Sequence, residues 1–200
     1  MTASSVLTAA GRNYFSPMGI YQIGRSRIWI DDHGWWLGLV EFQPSSHSKG
    51  AYLNVSVMWL WSETDHFVFD VHARVHQHVE YLNDEQFAPE ADNLARLAKV
   101  QLTKYREEFP DVAHAAAYLV ANNSVSDLLN AGMAYGLIGR REDGLPFLNR
   151  YIAYDDDREW AVRQRNEVQA LVDLRDGDSL KTAIEQRIDS SRESLGLPPR

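Results

Sequence analysis

The chain has 200 residues, with 28 acidic and 20 basic side chains, a formal net charge of -8 and no cysteine. This length and a hydrophobic content of 44% are enough for a buried core. The charge argues against nucleic-acid binding, which requires a clustered basic surface. The lack of cysteine excludes disulfides, thiol nucleophiles and thiolate metal sites. A soluble, acidic, globular protein remains.

The N-terminal residues and the apolar stretches predict a cytoplasmic protein. Residues 1–10 contain no Lys or Arg and no apolar run of signal-peptide length. The most apolar stretch, residues 35–40, is followed at once by Glu41, whereas a membrane-spanning helix needs about 20 apolar residues. We therefore expect no membrane segment.

The first 80 residues have the composition of an antiparallel sheet. Val, Ile, Trp, Tyr and Phe are concentrated in four segments separated by turn residues, which are 26–30, 35–43, 51–61 and 67–79. The connections between them are short, whereas parallel neighbours need crossovers of about a dozen residues or more. A short helix over residues 4–13 precedes the strands. The pattern predicts a four-stranded antiparallel meander.

After Asn83 the hydrophobic spacing changes to the helical period. One helix is predicted over residues 89–108, and the later ones begin near Asp111, Ser124 or Ser126, Glu142, Asp156 with Glu159, and Ser179. The predicted fold class is α+β, with the short helix and meander followed by about six α-helices. We expect an N-terminal region over residues 1–83 and a helical region over 84–200, packed together as one compact domain.

Several short motifs in the first half of the chain carry a resemblance to a known family. They are Met18-Gly19-Ile20, Gly24-Arg25-Ser26-Arg27-Ile28-Trp29, Val40-Glu41-Phe42-Gln43-Pro44-Ser45-Ser46 and Tyr52-Leu53-Asn54-Val55. With these motifs, residues 14–110 resemble a bacterial family of domains of unknown function. The resemblance implies a small antiparallel sheet with helices. It implies no activity, because that family has no established one.

A second resemblance lies in the helical half. Gly132, Tyr135 and Gly139, followed by Leu148, have a spacing similar to the first helix of a tetratricopeptide repeat. The pattern departs at Gly144, where the repeat prefers Ala, and no second copy follows within about 34 residues. Because stacked repeats bury their faces against one another, a lone unit favours an ordinary helical hairpin over residues 126–154.

The fourth predicted strand contains the main candidate site. Phe67, Phe69, Val71, Ala73 and Val75 alternate with the polar residues His66, Asp70, His72, Arg74, His76 and His78. Imidazoles and carboxylates are metal ligands and acid-base groups. At about 3.3 Å per residue, however, only neighbours such as His76 and His78 could share an ion. We interpret this face as polar and solvent-facing, with Asp70, His72, His76, His78, Gln43 and Asn54 as candidate binding residues and with no metal or cofactor.

Three other clusters are interpreted as local structure. Ser45, Ser46 and His47 lack the surroundings of a serine nucleophile and are typical of a polar hairpin. The segment Asp31-Asp32-His33 is typical of a turn. The acids of residues 155–157 lack the calcium-loop pattern and are favoured at a helix N-terminus.

Basic and aromatic residues are interleaved in the sheet half. Arg25, Arg27 and Lys49 accompany Trp29 and the pair Trp35-Trp36, a combination that can bind single strands. Residues 1–80 nevertheless contain five basic and seven acidic side chains, so nucleic acid is not the expected partner.

Two functions are predicted. The first is a non-enzymatic protein-interaction module, whose acidity suits a basic protein partner. The alternative is a metal-assisted hydrolase with its site over His72, His76, His78 and Asp70. The two differ in whether these side chains converge in one pocket.

Overall fold

A computed structural model describes residues 2–24, 26–122 and 124–200. The chain divides into two compact units. The sheet unit comprises residues 1–60 and 66–107 with Arg200, and the helical unit comprises residues 61–65 and 108–199. The predicted division into regions 1–83 and 84–200 stays a prediction.

The sheet unit is built on five antiparallel strands that pair in chain order. They are β1 (Tyr21–Gln22), β2 (Ile28–Asp32), β3 (Trp36–Pro44), β4 (Gly50–Trp59) and β5 (Val71–Glu80), with α1 (Ala3–Phe15) before them and α2 (Asp84–Glu108) after them. The α+β class, the antiparallel meander and the leading helix are confirmed. The predicted number of four strands is wrong, because β1 has only two residues and is too short to produce a hydrophobic alternation.

Some predicted boundaries differ from the structure for local reasons. The third predicted strand ends at Trp59, because residues 60–62 turn into a 3-10 helix. Helix α2 begins at Asp84, well before Pro89, because Asn83 caps it by accepting a hydrogen bond from the Gln86 N–H at 2.9 Å.

One face of the sheet unit is packed against α1 through aromatic rings. Trp29 and Phe15 meet edge to face with their ring centroids 5.1 Å apart, and Phe15 also stacks on Phe42 at 6.3 Å. All three side chains are buried. Gly11 of α1 lies so close to Trp29 that a Cβ there would come within 2.7 Å of the indole ring. The indole therefore fixes where α1 can lie on the sheet.

The helical unit contains five α-helices in the described residues. They are α3 (Val112–Asn122), α4 (Val125–Leu137), α5 (Arg141–Ile152), α6 (Glu159–Val172) and α7 (Gly177–Ser194). With α2, six helices follow the sheet, as predicted. None of the helices described is long and apolar enough to cross a membrane.

The helix starts test the predicted caps. Asp111 and Ser124 cap α3 and α4 as predicted, and Ser124 forms a capping box with Asp127. The capping box predicted for α6 is wrong, because Asp156 instead accepts hydrogen bonds from the side chain of Arg158. The predicted start of α7 at Ser179 is also wrong, because the cap is Asp176, which accepts from the Ser179 N–H at 2.7 Å.

Helices α4 and α5 form a close antiparallel hairpin at two glycines. A Cβ on Gly132 would lie 2.3 Å from Leu148 Cδ2, and a Cβ on Gly144 would lie 2.9 Å from the carbonyl oxygen of Gly132. Backbone atoms cannot move aside as a flexible side chain can. The glycine at position 144, where the tetratricopeptide pattern prefers Ala, is therefore explained by the close approach of the two helices.

We expect Gly144→Ala to destabilise the helical unit by about 1–3 kcal/mol, because the added methyl overpacks the hairpin. Gly177→Ala is the matched control. Its Cβ would meet nothing closer than 3.5 Å, so better helix propensity should leave stability equal or raise it by up to about 1 kcal/mol. Urea unfolding of both variants measures the difference. Equal stabilities for the two variants would contradict the packing argument.

Candidate anion-binding site

Two of the predicted site residues contact each other in the structure. Gln43 and Asn54 lie together on neighbouring strands, where Asn54 Nδ2 donates to Glu41 Oε2 and to Gln43 Oε1, both at 3.0 Å. Arg74 of β5 donates to the same Gln43 oxygen at 2.9 Å and lies 4.5 Å from the Tyr52 ring centroid. These polar side chains bind one another across the sheet.

Asp70 and the predicted histidines have separate local partners. Asp70 accepts a hydrogen bond from the Trp59 N–H at 2.8 Å. His72 stacks on Phe69, His76 Nδ1 lies 2.9 Å from the Gln77 carbonyl oxygen, and His78 Nε2 lies 3.3 Å from Ser48 Oγ. No group of three or more His, Asp or Glu side chains in the described residues could hold a metal ion.

Register shifts in β5 are one reason for this separation. Arg74 pairs with Asn54, but His76 pairs with Leu53 and Val79 with Ala51, so β5 contains extra residues between these pairs. The regular alternation that the sequence shows through His78 therefore does not continue as one flat polar face.

A concave site of the sheet unit lies elsewhere, between α1, β2 and the β3–β4 hairpin. This basic cleft has a volume of about 1000 Å³. Its cations are Arg12, Arg27 and Lys49, and its floor includes the buried rings of Trp29 and Phe42. Among the described residues, no Asp or Glu lines it.

Three chain segments bring the cations together. Arg12 lies on α1 in line with Ser4 and Thr8, which also line the cleft at the i, i+4 spacing of one helix face. Arg27 immediately precedes β2, and Lys49 ends the hairpin loop. In the described part of the chain, none of the three cations forms an ion pair with a carboxylate. All three are exposed and available to a ligand.

The charge of the cleft contrasts with that of the whole protein. The sheet unit holds ten basic and ten acidic residues, whereas the helical unit holds ten and eighteen, so the formal net charge of -8 lies in the helical unit. A second concave site of about 430 Å³, on α2, combines Arg96, Lys99 and Lys104 with Glu107. Of these two concave sites, only the basic cleft has charged Arg and Lys side chains without an Asp or Glu in its described lining.

Sequence reasoning noted part of this site. Arg27, Lys49 and Trp29 were recognised as basic residues beside aromatic ones, and the structure brings them into one cleft. Arg25, the third cation of that group, lies outside the described residues. Arg12 was missed, because its spacing from Ser4 and Thr8 indicates a shared helix face but not that this face borders the hairpin.

Within the hairpin loop, Ser45 makes the local backbone contact that was predicted. Ser45 Oγ accepts a hydrogen bond from the His47 N–H at 3.1 Å, which is local turn chemistry. The hairpin thus presents His47, Ser46 and Lys49 at the edge of the cleft.

Asp31, predicted as part of a turn, is a buried strand residue. Arg106 of α2 donates to both of its carboxylate oxygens, from Nε at 2.8 Å and from Nη2 at 2.6 Å. His33 Nε2 lies 3.1 Å from Asp31 Oδ2, and its ring stacks on Trp36. Burial would raise the pKa of Asp31, but the contacts with His33 and Arg106 outweigh it and hold that pKa below its ordinary value. This cluster joins α2 to the sheet.

Comparisons of the chain with known protein families, with curated proteins and with solved structures found no match. The resemblances suggested by the sequence, to a bacterial family of unknown function and to a tetratricopeptide hairpin, therefore stay predictions. The structure defines an α+β protein with a one-sign cationic cleft in its sheet unit.

Proposed function

We propose that this protein is a non-enzymatic interaction module that holds an acidic segment of a partner protein in the basic cleft. One observation carries the proposal. Arg12, Arg27 and Lys49 all line one cleft, and the described lining of that cleft contains no carboxylate. A concave surface of one charge attracts a ligand of the opposite charge and selects against ligands of its own.

The proposal keeps the interaction module predicted from the sequence but changes the charge of the partner. A basic partner was expected from the overall acidity, which resides in the helical unit. The basic cleft and the second concave site on α2 both lie in the sheet unit, and the larger of the two is cationic. The expectation of a basic partner stays a prediction, and we assign no binding site to such a partner.

The alternative, a metal-assisted hydrolase, has less support. It required His72, His76, His78 and Asp70 to converge, and these side chains have separate local partners. The geometry therefore favours binding in the basic cleft over chemistry on β5.

Calorimetric titration with hexaglutamate peptide tests the proposal. We expect the wild-type protein to bind the peptide with an affinity that falls as salt rises, because exposed charges are screened over about 10 Å at 0.1 M salt. The triple variant Arg12→Ala, Arg27→Ala, Lys49→Ala should bind at least about tenfold more weakly, a loss of about 1.4 kcal/mol.

The matched control removes the same number of charges from α2. Arg96, Lys99 and Lys104 belong to the same unit and line the second concave site. Their replacement by Ala should leave hexaglutamate binding within about twofold of the wild type, since none of the three lines the basic cleft. An equal loss in both triple variants would refute a specific basic cleft.

A further inference from the structure

The basic cleft offers more positive charge than a single carboxylate requires. One Arg can bind a carboxylate through two parallel hydrogen bonds. Arg12, Arg27 and Lys49 instead provide three cations from three chain segments. A phosphate monoester carries a charge of about -1.5 to -2 at neutral pH and three strong acceptor oxygens. The number of cations in the cleft therefore matches a phosphate better than a single carboxylate.

Three hydroxyl groups of the cleft also favour a phosphate ligand. The side chains of Ser4, Thr8 and Ser46 line it, and within the described ranges they form no hydrogen bonds with other protein groups. Ser45 and Ser48, by contrast, are engaged with His47 and His78. Hydroxyl donors can complete the hydrogen bonding of a phosphate whose charge is balanced by Arg and Lys.

The two buried rings in the floor of the cleft offer a ligand little contact area. Trp29 is 3% exposed and Phe42 is 6% exposed, so their rings offer only a shallow apolar contact. These two rings therefore add little to the charge and hydrogen bonds that the cleft offers. This combination suits recognition of a charged modification on a peptide segment.

We propose that the acidic group recognised in the basic cleft is a phosphate monoester carried by the partner protein. This inference rests on the proposed function, because it specifies which anion the same cleft selects. It assigns Arg12, Arg27 and Lys49 to the phosphate charge, and Ser4, Thr8 and Ser46 to its remaining oxygens.

Three pentapeptides that differ only at the central residue test this inference on the full-length protein. The central residue is phosphoserine, glutamate or unmodified serine, and calorimetry at constant salt gives the three affinities. We expect the phosphoserine peptide to bind at least about tenfold more tightly than the glutamate peptide, and the serine peptide not to bind measurably. Phenyl phosphate, as a free organic phosphate, should bind more weakly than the phosphoserine peptide.

Substitutions in the cleft test whether the preference for phosphoserine over glutamate arises there. The pair Arg27→Ala, Lys49→Ala should remove the difference between phosphoserine and glutamate peptides, whereas the α2 control pair Lys99→Ala, Lys104→Ala should keep it. Circular dichroism of both pairs checks that each is folded.

Three other outcomes of these titrations would overturn different parts of the proposal. Equal binding of the phosphoserine and glutamate peptides, with hexaglutamate still bound, overturns the phosphate inference and leaves the proposed function standing. Phenyl phosphate binding as tightly as the phosphopeptide overturns the assignment of the phosphate to a partner protein. If neither the phosphopeptide nor hexaglutamate binds, the proposed function falls as well.

Discussion

Arg106→Met is expected to lower the free energy of unfolding by about 3 kcal/mol at pH 7, because it leaves the Asp31 carboxylate buried without its cation. Asp31 is 3% exposed, and Arg106 provides two hydrogen bonds to it and a third, at 3.1 Å, to the Met18 carbonyl oxygen. The Arg106 side chain is itself one-third exposed, so we place the loss at the lower end of the range for buried ion pairs.

The same pair gives a pH dependence whose sign follows from the lowered pKa of Asp31. A carboxyl whose pKa is lower in the folded state contributes stability above its unfolded pKa of about 4 and loses it as the pH falls through the folded value. The difference in stability between wild type and Arg106→Met should therefore be full at pH 7 and shrink below about pH 4.

Arg96→Met is the matched control for this helix. Arg96 is exposed and hydrogen-bonds only to Asn93, three residues earlier, among the described residues. Its loss should cost less than about 0.5 kcal/mol. The double variant Asp31→Asn, Arg106→Met should recover part of the loss, since it removes the unpaired charge. A loss of under about 1 kcal/mol for Arg106→Met at pH 7 would show that the pair does not hold α2 to the sheet.

Trp29→Ala is expected to destabilise the sheet unit by about 3–5 kcal/mol. Its ring is buried against Phe15 and against Gly11 of α1, and it forms part of the floor of the basic cleft. Removing it leaves a large cavity under α1. Because α1 carries Arg12, the variant should also bind hexaglutamate more weakly under conditions in which it is still folded.

Trp160→Ala makes the same change where the ring is exposed. Trp160 is 50% exposed and is covered on one side by Arg158, whose guanidinium lies 4.5 Å from the ring centroid. Its loss should cost at most about 1 kcal/mol, the usual value of an exposed cation–π contact. Urea unfolding at pH 7 compares the two variants, and similar losses would show that Trp29 does not anchor α1.

Local patterns in the sequence predicted much of this fold. Alternating apolar residues and short turns predicted the antiparallel meander, and the capping residues Asp111 and Ser124 marked the starts of α3 and α4. Strand β1 was missed because two residues carry no periodicity. Asp31 was assigned to a turn because its partner, Arg106, is 75 residues away and only the folded chain brings the two together.

The candidate site was harder to predict for the same reason. The histidines of β5 formed a conspicuous pattern, but register shifts and local partners separate them. The basic cleft collects residues from α1, the start of β2 and the β3–β4 hairpin. Sequence could show that Arg27 and Lys49 accompany aromatic residues, but not that Arg12 lies beside them.

The most direct test of the basic cleft is a nuclear magnetic resonance titration of the isotope-labelled full-length protein with hexaglutamate. We expect the largest chemical-shift changes at residues 4–12 of α1, at Arg27 and at residues 46–49 of the hairpin, all saturating with one dissociation constant. Changes confined to α2 or to the helical unit, or spread over the surface without saturation, would contradict recognition of an acidic segment in this cleft.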